Sequence, residues 1–267
     1  MKIFCLSIYN QNYDLFKKNN LIPVGLGNQK FDMKWLNDKD GLNISNKNIN
    51  FGEYTFHYNL WKNNKIKINN EDWFGFCTYR RFWVKKNCST PKNLNELDSI
   101  ILQEPPMEWK DYDTILAEPI HLGKQKFMKL IKNNFDYLLK KPSLLFKKCS
   151  IKDHFIMNHG SYFLNQAIDL LDEDEKEDFV KFLNKNEFNP HNLFICKKES
   201  LINAYYEKIF DWLFKCEKKF KNLKLNSFGE RRIYGFLAER YLPFWFKKYS
   251  KTLDWPYIFF DTSKYRK

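Results

Sequence analysis

Two adjacent arginines, Arg80 and Arg81, follow the apolar aromatic run W-F-G-F-C at residues 73–77, with Tyr79 and Phe82 on either side. Guanidinium groups keep their charge at any working pH and match phosphate oxygens through two parallel hydrogen bonds. Open α/β sheets hold ligands just beyond the carboxyl ends of their strands, so a cationic pair in that position suits an anion. The plainer alternative is a pair that solvates a strand end and bonds to nearby carboxylates. A second charged group stands in F-G-E-R-R-I-Y-G-F-L-A-E-R-Y-L-P-F-W-F, residues 228–246. There Arg232, Gly235 and Glu239 fall on one helix face at i, i+3 and i+7, and the glycine leaves a gap beside two charges. A surface Arg/Glu pair on a kinked helix would give the same spacing.

These residues need elements to position them. Residues 3–9 are apolar and suit a first, central parallel strand; 73–77 suit a fully buried one; and 112–117 a third. Residues 10–27 are turn-rich. Residues 37–45 form a loop of Asn, Asp and Gly, and loops of this kind carry function more often than packing. In and after it, Asn43, Ser45, Asn48 and Glu53 offer polar side chains, although Ser and Asn also cap helices. Helices are expected at 53–61, 94–102, 126–146, 153–171 and 199–220, with a short strand at 193–196. Apolar residues Ile233, Phe236, Leu237, Tyr241 and Phe244 mark a last helix, bent near Glu239 because Pro243 lacks the N–H that would reach its carbonyl. The acidic run at 172–178 reads as a turn and a helix start.

Composition sets the limits. A chain of 267 residues that is 43% hydrophobic and 18% aromatic folds around a large core, and one domain is the default. The formal charge of +13 permits an anionic partner, but the basic residues are mostly Lys interleaved with Asn, Ile and Phe, as loosely constrained surface positions in an AT-rich genome read. No apolar run is long enough for a membrane span, the first residues do not read as a secretory signal, and the six cysteines are scattered with no C-x-x-C pair. A cytoplasmic location with reduced thiols is the expectation.

Six stretches in order, G-L-N-I-S-N-K-N (41–48), E-x-T-x-x-Y-x-x-W-K-N (53–63), F-G-F-C-T-Y-R-R-F (74–82), Y-D-T-I-L (112–116), H-N-L-F-I-C-K-K-E (191–199) and G-F-L-A-E-R (235–240), resemble a bacterial family. It is a domain-of-unknown-function family of capsular and exopolysaccharide gene clusters, classed as glycosyltransferases. The resemblance covers residues 1–246. It implies a GT-A-like nucleotide-sugar fold: a central mixed, mostly parallel sheet flanked by helices, in a single domain. Residues 1–120 would bind the donor, and a helical half, 121–267, would face the acceptor. Some members are thought to be galactofuranosyltransferases, so UDP-galactofuranose or another UDP-hexose is the implied donor. Thr78 departs from the usual His, and Pro243 from the usual non-proline residue.

In most GT-A enzymes the corresponding strand ends in Asp-x-Asp, which holds a divalent metal against the donor diphosphate. Here Thr78-Tyr79-Arg80-Arg81 stands in that place. The expectation is an inverting, metal-independent transferase without cofactor, a divalent metal being the less favoured option. Arg80 and Arg81, with Tyr79 and Arg240, would bind the diphosphate, and Asn43, Ser45, Asn48 and Glu53 would meet ribose and base. Glu239 is the first choice to deprotonate the acceptor, with Asp113, His159 and His191 in reserve, lone histidines being more often hydrogen-bonded structural residues. His159, His191 and Asn192 would meet a glycan or lipid-linked glycan, with the Lys-rich stretches 126–148 and 208–224 resting on an anionic membrane surface at its inner face. Rival readings are a basic, aromatic nucleic-acid-binding module, which lacks any helix-turn-helix, zinc or RNP signature, and a non-catalytic scaffold of polysaccharide assembly.

Overall fold

A computed structural model describes residues 1–69, 72–122, 139, 148–223 and 227–265. Its strands are β1 (Lys2–Ser7), β2 (Leu21–Gly25), β3 (Leu36–Asn37), β4 (Phe74–Thr78), β5 (Arg81–Trp83), β6 (Thr114–Ala117), β7 (Ile120–His121), β8 (Glu187–Phe188), β9 (Phe194–Cys196), β10 (Thr252–Trp255) and β11 (Tyr257–Phe259). Among the described residues the helices are α1 (Tyr13–Lys18), α2 (Asn48–Phe51), α3 (Tyr54–Lys62), α4 (Leu94–Ile100), α5 (Ile151–His159), α6 (Ser161–Asp169), α7 (Glu173–Leu183), α8 (Glu199–Phe220), α9 (Phe228–Arg231) and α10 (Ile233–Tyr249).

The main sheet runs β10-β6-β9-β4-β1-β2-β3, with β5 and β11 extending it from the end of β4. Pairing is parallel from β4 across to β3 and between β10 and β6, and antiparallel where β9 lies between β4 and β6. Side chains of a strand alternate between faces, and this sheet uses the alternation to build two cores. Phe4 and Leu6 of β1, Phe74 and Phe76 of β4, and Phe194 of β9 point to a face covered by α3, α8 and α10. Ile3, Cys5, Cys77 and Ile195 point to the other, filled by Phe16, Trp35, Trp109 and Trp255. The mixed α/β sheet expected from the sequence is borne out.

α8 buries Ile202, Tyr205, Tyr206, Ile209, Phe210, Leu213 and Cys216, the three-and-four spacing of a single stripe. Its two buried tyrosine hydroxyls need partners. Tyr205 bonds to Tyr54 of α3 at 2.6 Å and Tyr206 to Nδ1 of His57 at 2.8 Å, so the core itself is tied to the helix that enters the site.

Several elements differ from the sequence expectation. The helix expected over 153–171 is two, broken at Gly160, whose φ of 83° no helix accommodates. The last helix is split at Arg232 and then runs through Pro243 to Tyr249. The turn-rich stretch 10–27 holds β2, and β10 and β11 follow beyond the last expected element. Because β9, β10 and β11 complete the sheet begun by β1 to β6, residues 1–120 and 121–267 share one sheet rather than forming two halves. Most of the helix expected at 126–146 lies outside the described residues. The acidic run does open α7, with Glu173, Asp174 and Glu175 in its first turn. Among the described residues no helix is long and apolar enough to cross a membrane.

Candidate active site

β1 and β4 are adjacent and parallel, Leu6 opposite Thr78, so their carboxyl ends open side by side. A cavity of about 230 Å³ lies there. Its walls come from five places: Leu6, Ile8 and Leu26 after β1 and β2; Asn48, Gly52 and Glu53 around α2; Thr78 to Arg81 after β4; His191 and Asn192 before β9; and Arg232, Gly235, Phe236 and Glu239 of the last helix. An adjoining cavity of about 460 Å³ is lined by Tyr9, Gly27, Asn28, Gln29, Ser45, Asn46 and Arg231, and shares Ile8, Leu26, Asn48 and Arg232 with the first.

The turn carrying Arg80 and Arg81 is fixed from the far end of the chain. Phe260 donates its N–H to the Arg80 carbonyl at 3.0 Å, Thr262 Oγ1 donates to the Tyr79 carbonyl at 2.6 Å, and β11 pairs with β5. Both side chains are half-buried, and neither has an ion-pair partner among the described residues. Arg81 lies 5.5 Å from the Phe259 ring and Arg80 5.5 Å from the Tyr79 ring. Burial and the adjacent Arg80 charge pull the Arg81 pKa down, with Glu239 and Glu53 opposing. Its Nε and the Thr78 Oγ1 are buried with no hydrogen-bond partner. Buried polar groups are normally satisfied, and both residues line the cavity.

Glu239 is differently placed. Its Oε1 accepts from the His191 N–H at 2.7 Å and lies 3.5 Å from His191 Nδ1, while Oε2 is ion-paired to Arg240. Burial alone would raise its pKa, but the Arg240 charge and the His191 contacts hold the carboxyl well below the usual range. Arg240 itself is 2% exposed; it donates to His154 Nδ1 at 3.1 Å and rests on the Phe188 and Phe155 rings. The donor-binding role expected of Arg240 is thus corrected: it does not line the main cavity and serves as the counter-ion of Glu239.

His191 and Asn192 both sit at positive φ, 75° and 53°, a region a histidine enters only when held there. The restraints are on hand: Asn192 Nδ2 donates to Glu53 Oε1 at 2.9 Å and to the Gly235 carbonyl at 3.2 Å, and its Oδ1 accepts from Tyr54 at 3.3 Å. With its amide so occupied, Asn192 holds the loop rather than offering itself to an acceptor. His191 reaches Tyr257 Oη through Nε2 at 3.1 Å, and burial keeps its ring neutral more readily than usual.

The remaining expected residues divide. Tyr79 and Glu53 line the main cavity, and Ser45 and Asn48 the adjoining one. Asn43 lines neither; its amide bonds to the Lys39 and Gly41 carbonyls and its oxygen accepts from Ser45, so it shapes its own loop. Asp113 is at the opposite end of the sheet, before β6, ion-paired to Lys198 at 2.8 Å, and has no place in this cavity. His159 is stacked on the Phe236 ring at 4.2 Å, in a cavity with His154, Asn158 and Arg240 that shares Phe236 and Glu239 with the main one; burial drops its pKa to about 3. Sequence reasoning passed over Arg231, Tyr257 and Gly52, and treated Arg232 only as one corner of a helix face. In the expected basic patches, 126–147 lies outside the described residues except Leu139, and Lys208 and Lys215 are both bonded to Asp172.

Among the described residues no three His, Cys, Asp or Glu side chains gather as a metal site. Both carboxylates of the cavity are engaged, Glu53 by Arg232 and Asn192, Glu239 by Arg240 and His191. Divalent cations take several oxygen ligands, and this arginine-rich donor set does not fit one.

A family model, described as a domain of unknown function (DUF4422), matches residues 4–251. The chain belongs to the DUF4422 family. The resemblance read from the six sequence stretches is therefore borne out. This DUF4422 chain also shares its fold with a solved apo structure of WbbM, a bifunctional glycosyltransferase, at 19% identity and a TM-score of 0.71. The match covers 97% of this chain and 45% of that one, so the chain spans less than half of the WbbM chain. No curated protein matches.

Proposed function

We propose that this protein transfers a sugar from a nucleotide-sugar donor, UDP-galactofuranose or another UDP-hexose, to a growing capsular or surface polysaccharide, lipid-linked or free. The observation that carries the reading is the turn after β4, where two arginines without carboxylate partners among the described residues line a cavity walled by Glu239. The fold shared with a glycosyltransferase supports it. Arg80 and Arg81 would neutralise the departing nucleoside diphosphate, the electrostatic work that a metal does elsewhere. The acceptor hydroxyl would attack the anomeric carbon as its proton leaves to the Glu239–His191 pair, with inversion. Glu239 is held ionised, as a base must be, and His191 stands beside it. Docking on an anionic membrane surface and a cytoplasmic location complete the reading.

The test is a panel of nucleotide sugars with mass-spectrometric detection of hydrolysis and transfer, preceded by thermal shift with UDP, GDP and oligonucleotides. Stabilisation by a nucleoside diphosphate and turnover of its sugar are expected. Salt-sensitive oligonucleotide binding alone would favour the nucleic-acid module. Turnover should survive EDTA; activity abolished by EDTA and restored by manganese would overturn metal independence. Glu239→Gln should keep donor binding and lose most turnover, and a near-normal rate would remove Glu239 from the mechanism.

A further inference from the structure

The two adjoining cavities meet at Ile8, Leu26, Asn48 and Arg232, and of these Arg232 alone carries charge. It reaches the seam because it is the residue that separates α9 from α10, with φ −96° and ψ 20° at the N-cap of α10. Its guanidinium lies against Gly52. That glycine has φ +59°, and a Cβ placed on it would stand 2.4 Å from Arg232 Nη2. A side chain there would push the guanidinium aside. Next in the chain, Glu53 directs Oε2 to Arg232 Nη2 at 3.5 Å while Oε1 accepts from Asn192. A carboxylate facing a cavity suited to anions is repulsive unless it serves to aim a cation.

We propose that Arg232 is a further donor-binding residue, gripping the diphosphate at the seam between a sugar lobe and a nucleoside lobe, with Gly52 and Glu53 as its positioning residues. The inference rests on the nucleotide-sugar reading above. It divides the two-lobed cavity by chemistry: the larger, amide-lined lobe of Asn28, Gln29 and Asn46 takes base and ribose, the smaller one, next to Glu239, takes the sugar, and the cation lies where the phosphates must pass. It also changes the role of Glu53 from a donor contact to the residue that aims Arg232.

The experiment is calorimetric titration of UDP, with GDP in parallel, into wild type, Arg232→Gln, Gly52→Ala and the double variant, each with its melting temperature recorded without nucleotide. Arg232→Gln is expected to weaken binding roughly ten- to a hundred-fold, the loss of a hydrogen bond to a charged group, with at most a small fall in the unliganded melting temperature. Gly52→Ala should weaken binding in the wild-type background and add nothing in the Arg232→Gln background, a coupling that a merely strained backbone would not show. If Gly52→Ala fails to fold, Glu53→Gln takes its place in the cycle. Wild-type affinity in Arg232→Gln, or equal losses from Gly52→Ala in both backgrounds, overturns the inference and leaves the donor reading standing. Wild type that binds neither nucleotide overturns both.

Discussion

Arg240 and the Arg80–Arg81 pair are the same residue type a short way apart, and their surroundings are opposite. Arg240 is sealed: ionic partner, histidine acceptor and two aromatic rings leave it 2% exposed. Arg80 and Arg81 have rings beside them but, among the described residues, no carboxylate partner, and the buried Arg81 Nε has no hydrogen-bond partner there. The contrast separates two uses of charge. A buried ion pair is costly to break because the surviving partner stays buried and uncompensated. A cation left without a partner in a cavity stabilises nothing until a ligand arrives, so its removal should be felt in binding and rate, not in folding.

The largest effect should come from the sealed side. Arg240→Ala should lower unfolding free energy by about 3–5 kcal/mol, read from urea denaturation; a variant as stable as wild type would mean the pair is not a structural unit. On the open side, Arg80→Ala and Arg81→Ala should leave the urea midpoint nearly unchanged and cut turnover of the identified donor roughly 100- to 1,000-fold, the usual loss for one preorganised charge-stabilising donor. Destabilisation without a rate defect would reverse the assignment.

Acid should separate the two regions again. Burial holds His57 and His159 near a pKa of about 3, from 6.5 in the unfolded chain. A depressed base contributes its full stability above pH 6.5 and loses it as the pH falls toward 3, because only the unfolded chain takes the proton. Moving from pH 7.5 to 5 should therefore cost on the order of 1–2 kcal/mol per histidine, while the arginines stay charged throughout. Urea midpoints that hold steady to pH 5 would contradict the burial. The smallest effect is expected at Asn43→Ala, whose amide bonds only within its loop: UDP affinity should change by less than about two-fold, and a ten-fold loss would bring the loop into the site.

Periodicity and run length located most of the framework. α8 is found where its apolar stripe put it, at Glu199–Phe220, and β4 is shifted by one residue from the aromatic run that announced it. β2 was hidden by Pro23 and Gly25, which read as turn residues; beside the two-residue strand β3 the sheet tolerates them. β10 and β11 are short and half exposed, so neither period stands out. In the site, the Arg80–Arg81 dipeptide was legible because it interrupts an apolar run. The His191–Asn192 turn and the Gly52–Arg232 contact were not, since they join residues from opposite halves of the chain. Only six of the 45 basic residues are arginine, and Arg80, Arg81, Arg231 and Arg232 line the two cavities while Arg240 holds Glu239.

The anchoring of the Tyr79–Arg81 turn by Thr262, 183 residues further along the chain, has a consequence for biosynthesis. The cationic turn has its final hydrogen bonds only after residues 257–262 have left the ribosome. A nascent chain that has made β1 to β4 therefore owns the arginines but not their orientation, and the turn should take its final form only once residues 257–262 have been made.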